Sequence, residues 1–163
     1  YIFQDSKKQR NVEEELEHIE AYIRIQKLRY GEEAFSFEAT MDGDIGEWKV
    51  PSLLLQTLVE NSVVHGVSLD RKSEISLYLT NETYEDGEYL YICISDTGNG
   101  FRKEALDAIE HDTPIIYHGR HHVGISNIKR RLALMYGERA SITCSNMDEN
   151  YGAVVEVRLP KTE

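Results

Sequence analysis

Asp96-Thr97-Gly98-Asn99-Gly100-Phe101 is the stretch on which the reading of this chain turns. It follows a strand-like run, Leu90 to Ser95, and opens a long polar segment. A carboxylate at a strand end can accept a hydrogen bond from an amino-bearing ring, and glycines just beyond it let backbone approach a ligand closely. Asp-Thr-Gly is also an ordinary turn sequence. Its weight therefore comes from two companions, one on each side in the chain.

The first companion is the segment Ser52 to His65. Pro51-Ser52 reads as a helix start with Ser52 as N-cap. Leu54, Leu58, Asn61 and His65 then follow at helical spacing, giving a stripe that begins apolar and ends polar. Glu60 sits beside Asn61. An amide oxygen is a hard ligand suited to Mg²⁺, which keeps few protein ligands beside substrate phosphates. Taken alone, the same residues also fit a buried Asn and His satisfied by nearby backbone. The second companion is His118 to Asn127. There Gly124 is expected where a loop turns into a helix, with free N–H groups and the positive end of the helix dipole forming an anion site. Taken alone, it also fits a simple loop-to-helix turn.

Outward from these, Glu13 to Arg29 reads as a helix whose stripe is Val12, Leu16, Ile19 and Ile23. Phe35, Phe37 and Ala39 alternate as a strand, Met41 to Gly46 reads as a turn, and Trp48 to Val50 as a short strand. Ile75, Leu77 and Leu79 pair through a turn at 81–87 with Tyr89 to Ser95. Residues 97–122 lack long periodicity apart from a short helix at Lys103 to Ile109, and a stretch of that kind suggests a lid or functional loop. A helix with Ile125, Ile128, Leu132 and Met135 ends at Tyr136-Gly137, and a hairpin of 141–145 with 153–159 closes the chain. The order predicts an α/β two-layer sandwich, with helices on one face of a mixed, mostly antiparallel sheet.

The chain has 163 residues, 40% of them hydrophobic, so one domain with its own core is expected. Its net charge of −11 argues against a nucleic-acid partner and means that any phosphate must be held locally. Cys93 and Cys144 fall in strand-like runs and read as unpaired thiols of a reducing compartment. The sequence has no run apolar enough to span a membrane and no leader pattern, and its first residue, Tyr1, suggests a fragment.

In combination, the three segments resemble the ATP-binding catalytic domain of sensor histidine kinases, within the wider group that includes gyrase B, HSP90 and MutL. The similarity is greatest to the LytS/YesM-type kinases. Leu55-Gln56-Thr57-Leu58-Val59-Glu60-Asn61-Ser62-Val63-Val64-His65-Gly66 resembles the N-box and Asp96-Thr97-Gly98-Asn99-Gly100 the G1 box. Val123-Gly124-Ile125-Ser126-Asn127-Ile128-Lys129-Arg130-Arg131-Leu132 resembles the G2 box, and Val12 to Tyr22 resembles the helix leading into the domain. The resemblance implies the tail of a linker or dimerisation helix over 1–30 and the ATP-binding domain over 31–163. It implies ATP and Mg²⁺ as cofactors. Asn61 would hold the metal, and Asp96 would receive the adenine amino group. Gly98, Gly100 and Gly124 would permit the lid and its phosphate contacts. His65 and Asn127 would lie near the phosphates or the metal, and Glu60 would orient metal-bound water.

Some positions depart from the family's pattern. Thr57 stands where the subgroup commonly has Pro, and Val64 where many members carry a basic residue. His122 stands where many have Gly, restricting the lid backbone while itself able to reach a phosphate. None of the six histidines has the context of the family's phosphoacceptor, and His18 reads as a surface residue. The family thus implies a donor site here and an acceptor histidine on an upstream helix. It also implies a response regulator as partner and a cytoplasmic location within a membrane-anchored homodimer. Two other functions compete with the kinase. A gyrase-type ATPase is disfavoured because Thr57 occupies the position of its general-base Glu. A degenerate module would dock partners through the Val12–Ile23 stripe.

Overall fold

The computed structural model describes residues 8–68, 70–111, 120–149 and 151–162, with backbone alone for 120–123. Alternation of apolar side chains builds its main sheet. In β4 (Ser73–Tyr84), Ile75, Leu77 and Leu79 are buried while Glu74, Ser76 and Tyr78 face outward. In β5 (Gly87–Asp96) the inward row is Leu90, Ile92, Ile94 and Asp96. Parity thus puts a carboxylate at the end of an apolar row. Strands β2 (Phe35–Asp42), β6 (Ser141–Asp148) and β7 (Tyr151–Pro160) complete the order β2-β4-β5-β7-β6. Only the β2–β4 pairing is parallel. A parallel pair needs a crossover, and α2 (Leu54–Gly66) lies within it. A small sheet joins β1 (Gln9–Asn11) to β3 (Lys49–Pro51).

Three helices supply the apolar face over the sheet: α1 (Val12–Tyr30), α2 and α4 (Arg120–Tyr136). Val12 and Ile19, Leu54, Leu58 and Val63, and Ile125, Ile128 and Leu132 join one core with the strands. The expected sandwich, with its helices on one face, is the observed architecture. α1 starts at a capping box in which Asn11 accepts from the Glu14 N–H at 2.9 Å and Glu14 answers to the Asn11 N–H at 3.3 Å. Its stripe faces inward, with Val12 and Ile19 fully buried and Leu16 and Ile23 packed against the core, so it is not available as a docking surface. α3 (Lys103–His111) forms as expected.

Several boundaries differ from expectation. β2 continues to Asp42, through the start of the expected turn. The turn expected at 81–87 shrinks to its tip, because the strands pair out to Tyr84 and Gly87. This polar end is held by side chains: the Tyr84 and Tyr89 rings meet edge-on at 5.3 Å, and Arg158 reaches Glu82 at 3.0 Å. Ser52 does not cap α2. Leu53 holds that position in the left-handed region (φ 67°), and a side chain of α1 does the capping. α4 begins at Arg120, so Gly124 lies inside the helix and not at its mouth. The two thiols are free and half-buried, and burial pushes the Cys144 thiol up to about 12.

Candidate nucleotide site

Asp96 is 3% exposed, on the helix-facing side of the sheet. Its Oδ1 accepts the Gly98 N–H at 2.9 Å, and the Ala153 backbone and Ser62 hydroxyl bond to it as well. Burial pushes its carboxyl above the usual carboxylate range, and those three bonds pull the other way. A carboxylate offers about four acceptor positions, so these neighbours leave it capacity for a ligand.

Two glycines make room around this carboxylate. A Cβ on Gly66, at the end of α2, would lie 2.8 Å from Asp96 Cγ. A Cβ on Gly98 would lie 2.7 Å from Gly66 Cα. The loop after β5 is fixed from several sides. Asn146 accepts the Phe101 N–H at 2.7 Å and donates to the Phe101 carbonyl at 2.9 Å. The Gly98 carbonyl accepts the Gly152 N–H at 2.8 Å, and Arg71 donates to the Thr97 carbonyl at 2.8 Å. Gly100 sits at φ 76°, where a side chain is strained.

Asn61, His65, Asp96, Gly100, Phe101, Arg102 and Ala153 line a single cleft. Two of the three expected segments therefore converge. The cleft measures about 120 Å³, below the roughly 300–1,000 Å³ of whole-ligand pockets. It suits one end of a ligand rather than all of it. A larger groove of about 810 Å³ runs between α3, α4 and β6, lined by Leu106, Lys129, Ile142 and Cys144 among others, but neither Asp96 nor Asn61 reaches it.

Other expected site residues stand apart. Glu60 takes a hydrogen bond from Gln56 at 2.9 Å, and the Tyr22 phenol of α1 is raised by burial and, to a lesser degree, by the nearby Glu60 charge, so Glu60 faces α1. Gly124 packs toward α2, where a Cβ would meet only Thr57 Cγ2, at 4.0 Å, among the described residues. Asn127 is exposed on α4 and does not line the cleft. The His122 side chain, His118 and, of the stretch 97–122 expected as a lid or functional loop, residues 112–119 fall outside the described residues. Thr57 donates its hydroxyl to the Leu53 carbonyl at 2.8 Å, a structural engagement. Arg102, Ser62, Gly66 and Asn146 were not singled out from sequence. Ser62 and Gly66 flank Asn61 and His65 on α2, and Arg102 follows the Asp96–Phe101 stretch, so adjacency was the available signal. Asn146, distant in sequence, carried none.

Residues 50–163 match the family described as histidine kinase-, DNA gyrase B-, and HSP90-like ATPase. The chain belongs to this family. Its curated relatives include the sensor histidine kinase YpdA of Escherichia coli, 31% identical over 78% of this chain and 21% of that protein. The sensor protein LytS of Streptococcus agalactiae is 30% identical over 91% of this chain and 24% of that protein. The chain thus spans about a quarter of the length of these relatives. Among solved structures, the catalytic domain of histidine kinase ThkA aligns with a TM-score of 0.70 at 16% identity, covering 95% of this chain and 97% of that one. The mycobacterial sensor histidine kinase MprB aligns at 0.60 and 16%, again over 95% and 97%. These likenesses establish the fold of a histidine kinase catalytic domain, as the resemblance of the boxes implied.

Proposed function

We propose that this domain binds Mg·ATP and donates the γ-phosphoryl group to a histidine outside the chain, as part of a sensor histidine kinase. Asp96 carries the reading: it is buried, accepts the Gly98 N–H, and lines the cleft with acceptor capacity left for a ligand. An exocyclic amino group is the complement of a carboxylate acceptor, so the adenine ring enters beside Gly66 and Gly98. Asn61 fits a hard cation, because it brings a neutral amide oxygen to the cleft that it lines with His65. Among the described residues no group of three His, Cys, Asp or Glu gathers as a metal cage, which accords with an ion held mainly by phosphates. Bound Mg²⁺ would neutralise phosphate charge in the transition state. Arg102 lines the same cleft and adds a cationic side chain to it.

In this reading the chain's contribution is positioning. Asp96 fixes the base, Asn61 and His65 fix the metal end, and Asn146 holds the intervening loop. The acceptor histidine, a response regulator, a homodimer and membrane anchorage belong to the proposed whole protein. No described helix is long and apolar enough to cross a membrane. The test is a titration of Mg·ADP, followed by acid-labile labelling from ATP in a longer protein that includes the upstream helix. Asp96→Asn should abolish binding, and Asn61→Asp should slow labelling. Undiminished affinity in the first or normal labelling in the second would refute the corresponding role.

A further inference from the structure

A second buried carboxylate lies away from the cleft. Glu15 of α1 is fully buried, with one oxygen accepting the Leu53 N–H at 3.0 Å and the other the Leu55 N–H at 3.1 Å. These donors belong to the start of α2, a helix with no side-chain cap and no acidic residue in its first turn. Such orphan N–H groups are normally met by a local Ser, Thr, Asp or Asn. Here the cap comes from another helix. The same junction holds Leu53, the one non-glycine with positive φ among the described residues. A left-handed leucine persists only where its surroundings fix it. Arg131 of α4 reaches the neighbouring Ser52 carbonyl at 2.6 Å.

The two ends of the cleft are held by different elements. Asp96 is fixed by the sheet and its loop, whereas Asn61 and His65 ride on α2. We propose that Glu15 is a positioning residue: by clamping the start of α2 to α1, it sets Asn61 and His65 against Asp96. A displacement of α1 would then reach the metal end of the site through α2 while leaving the base end in place. This rests on the nucleotide reading above.

The experiment measures ADP affinity with and without Mg²⁺ for the wild-type chain, Glu15→Gln, and Leu79→Ala as a core variant destabilised elsewhere. Expected for Glu15→Gln is a loss of about 2- to 30-fold in the Mg²⁺-dependent gain in affinity, with Mg²⁺-free affinity unchanged. Leu79→Ala should lower stability and leave both affinities of the folded protein intact. Glu15→Gln combined with Leu53→Gly, which removes the backbone strain, should recover part of the gain. Glu15→Asp, which keeps the charge, serves if the Gln variant does not fold. An intact Mg²⁺ gain in the folded Glu15 variant, or the same loss in Leu79→Ala, would overturn the proposal. Absence of ADP binding by the wild-type chain would instead overturn the nucleotide reading, and the role of Glu15 with it.

Discussion

Replacing Gly66 by alanine sets two opposing effects against each other. Alanine is favoured over glycine in a helix by up to about 1 kcal/mol, less at a helix end such as this one. The added methyl, however, would lie 2.8 Å from Asp96 Cγ and 3.0 Å from its Cβ and Oδ1. Asp96 has little freedom to retreat, because Gly98, Ala153 and Ser62 all bond to it. Overpacking of this kind costs about 1–3 kcal/mol. The sum is a destabilisation of about 0–3 kcal/mol. Gly124→Ala is the matched control: it too is helical, and its methyl would meet nothing closer than Thr57 Cγ2 at 4.0 Å among the described residues. That variant should gain up to about 1 kcal/mol. Urea unfolding at constant m-value reads both. A Gly66→Ala protein more stable than wild type, with unchanged ADP affinity, would refute the reasoning. The expected result is a midpoint below that of Gly124→Ala and an affinity loss of about tenfold or more as the carboxylate is displaced.

Other outcomes follow from the same geometry. Asn146→Ala leaves the Phe101 N–H without its partner and should cost about 1–3 kcal/mol, with hydrogen exchange quickening at residues 98–102. Asp96 has a folded-state pKa raised by burial, so its stabilising contribution is complete below the unfolded value of about 3.9 and is lost as pH rises through the folded value. Asp96→Asn should therefore compare more favourably with wild type at pH 7 than at pH 4 in urea unfolding. The reverse order would show that burial does not dominate. Glu60→Gln should leave Mg·ADP affinity within about twofold by titration, because that side chain faces α1.

How legible the molecule was in its sequence depends on how local each determinant is. The stripe from Leu54 to His65 was readable because helical spacing alone puts Asn61 and His65 on one line. The inward row Leu90, Ile92, Ile94 was readable by parity, and continuing it one step places Asp96 inside. The cap of α2 was not readable. Ser52 has the right chemistry, but the donors are met by Glu15, 38 to 40 residues away, a choice made by packing of α1 on α2. The turn at 81–87 was overextended because Asn81, Asp86 and Gly87 carry turn signals. Cross-strand tyrosines and the Arg158–Glu82 pair kept those polar residues in the ladder. Gly124 suggested a helix mouth because glycine punctuates chains, yet this one lies within α4, where it packs toward Thr57.

The central claim is that a nucleotide base enters beside Asp96, between α2 and the loop after β5. Backbone amide shifts on adding Mg·ADP test it directly. Large changes are expected at Asn61, His65, Gly98 and Gly100, with little at Ile142 to Ser145 in the wider groove. Changes confined to that groove, with the four cleft amides unmoved, would contradict the account.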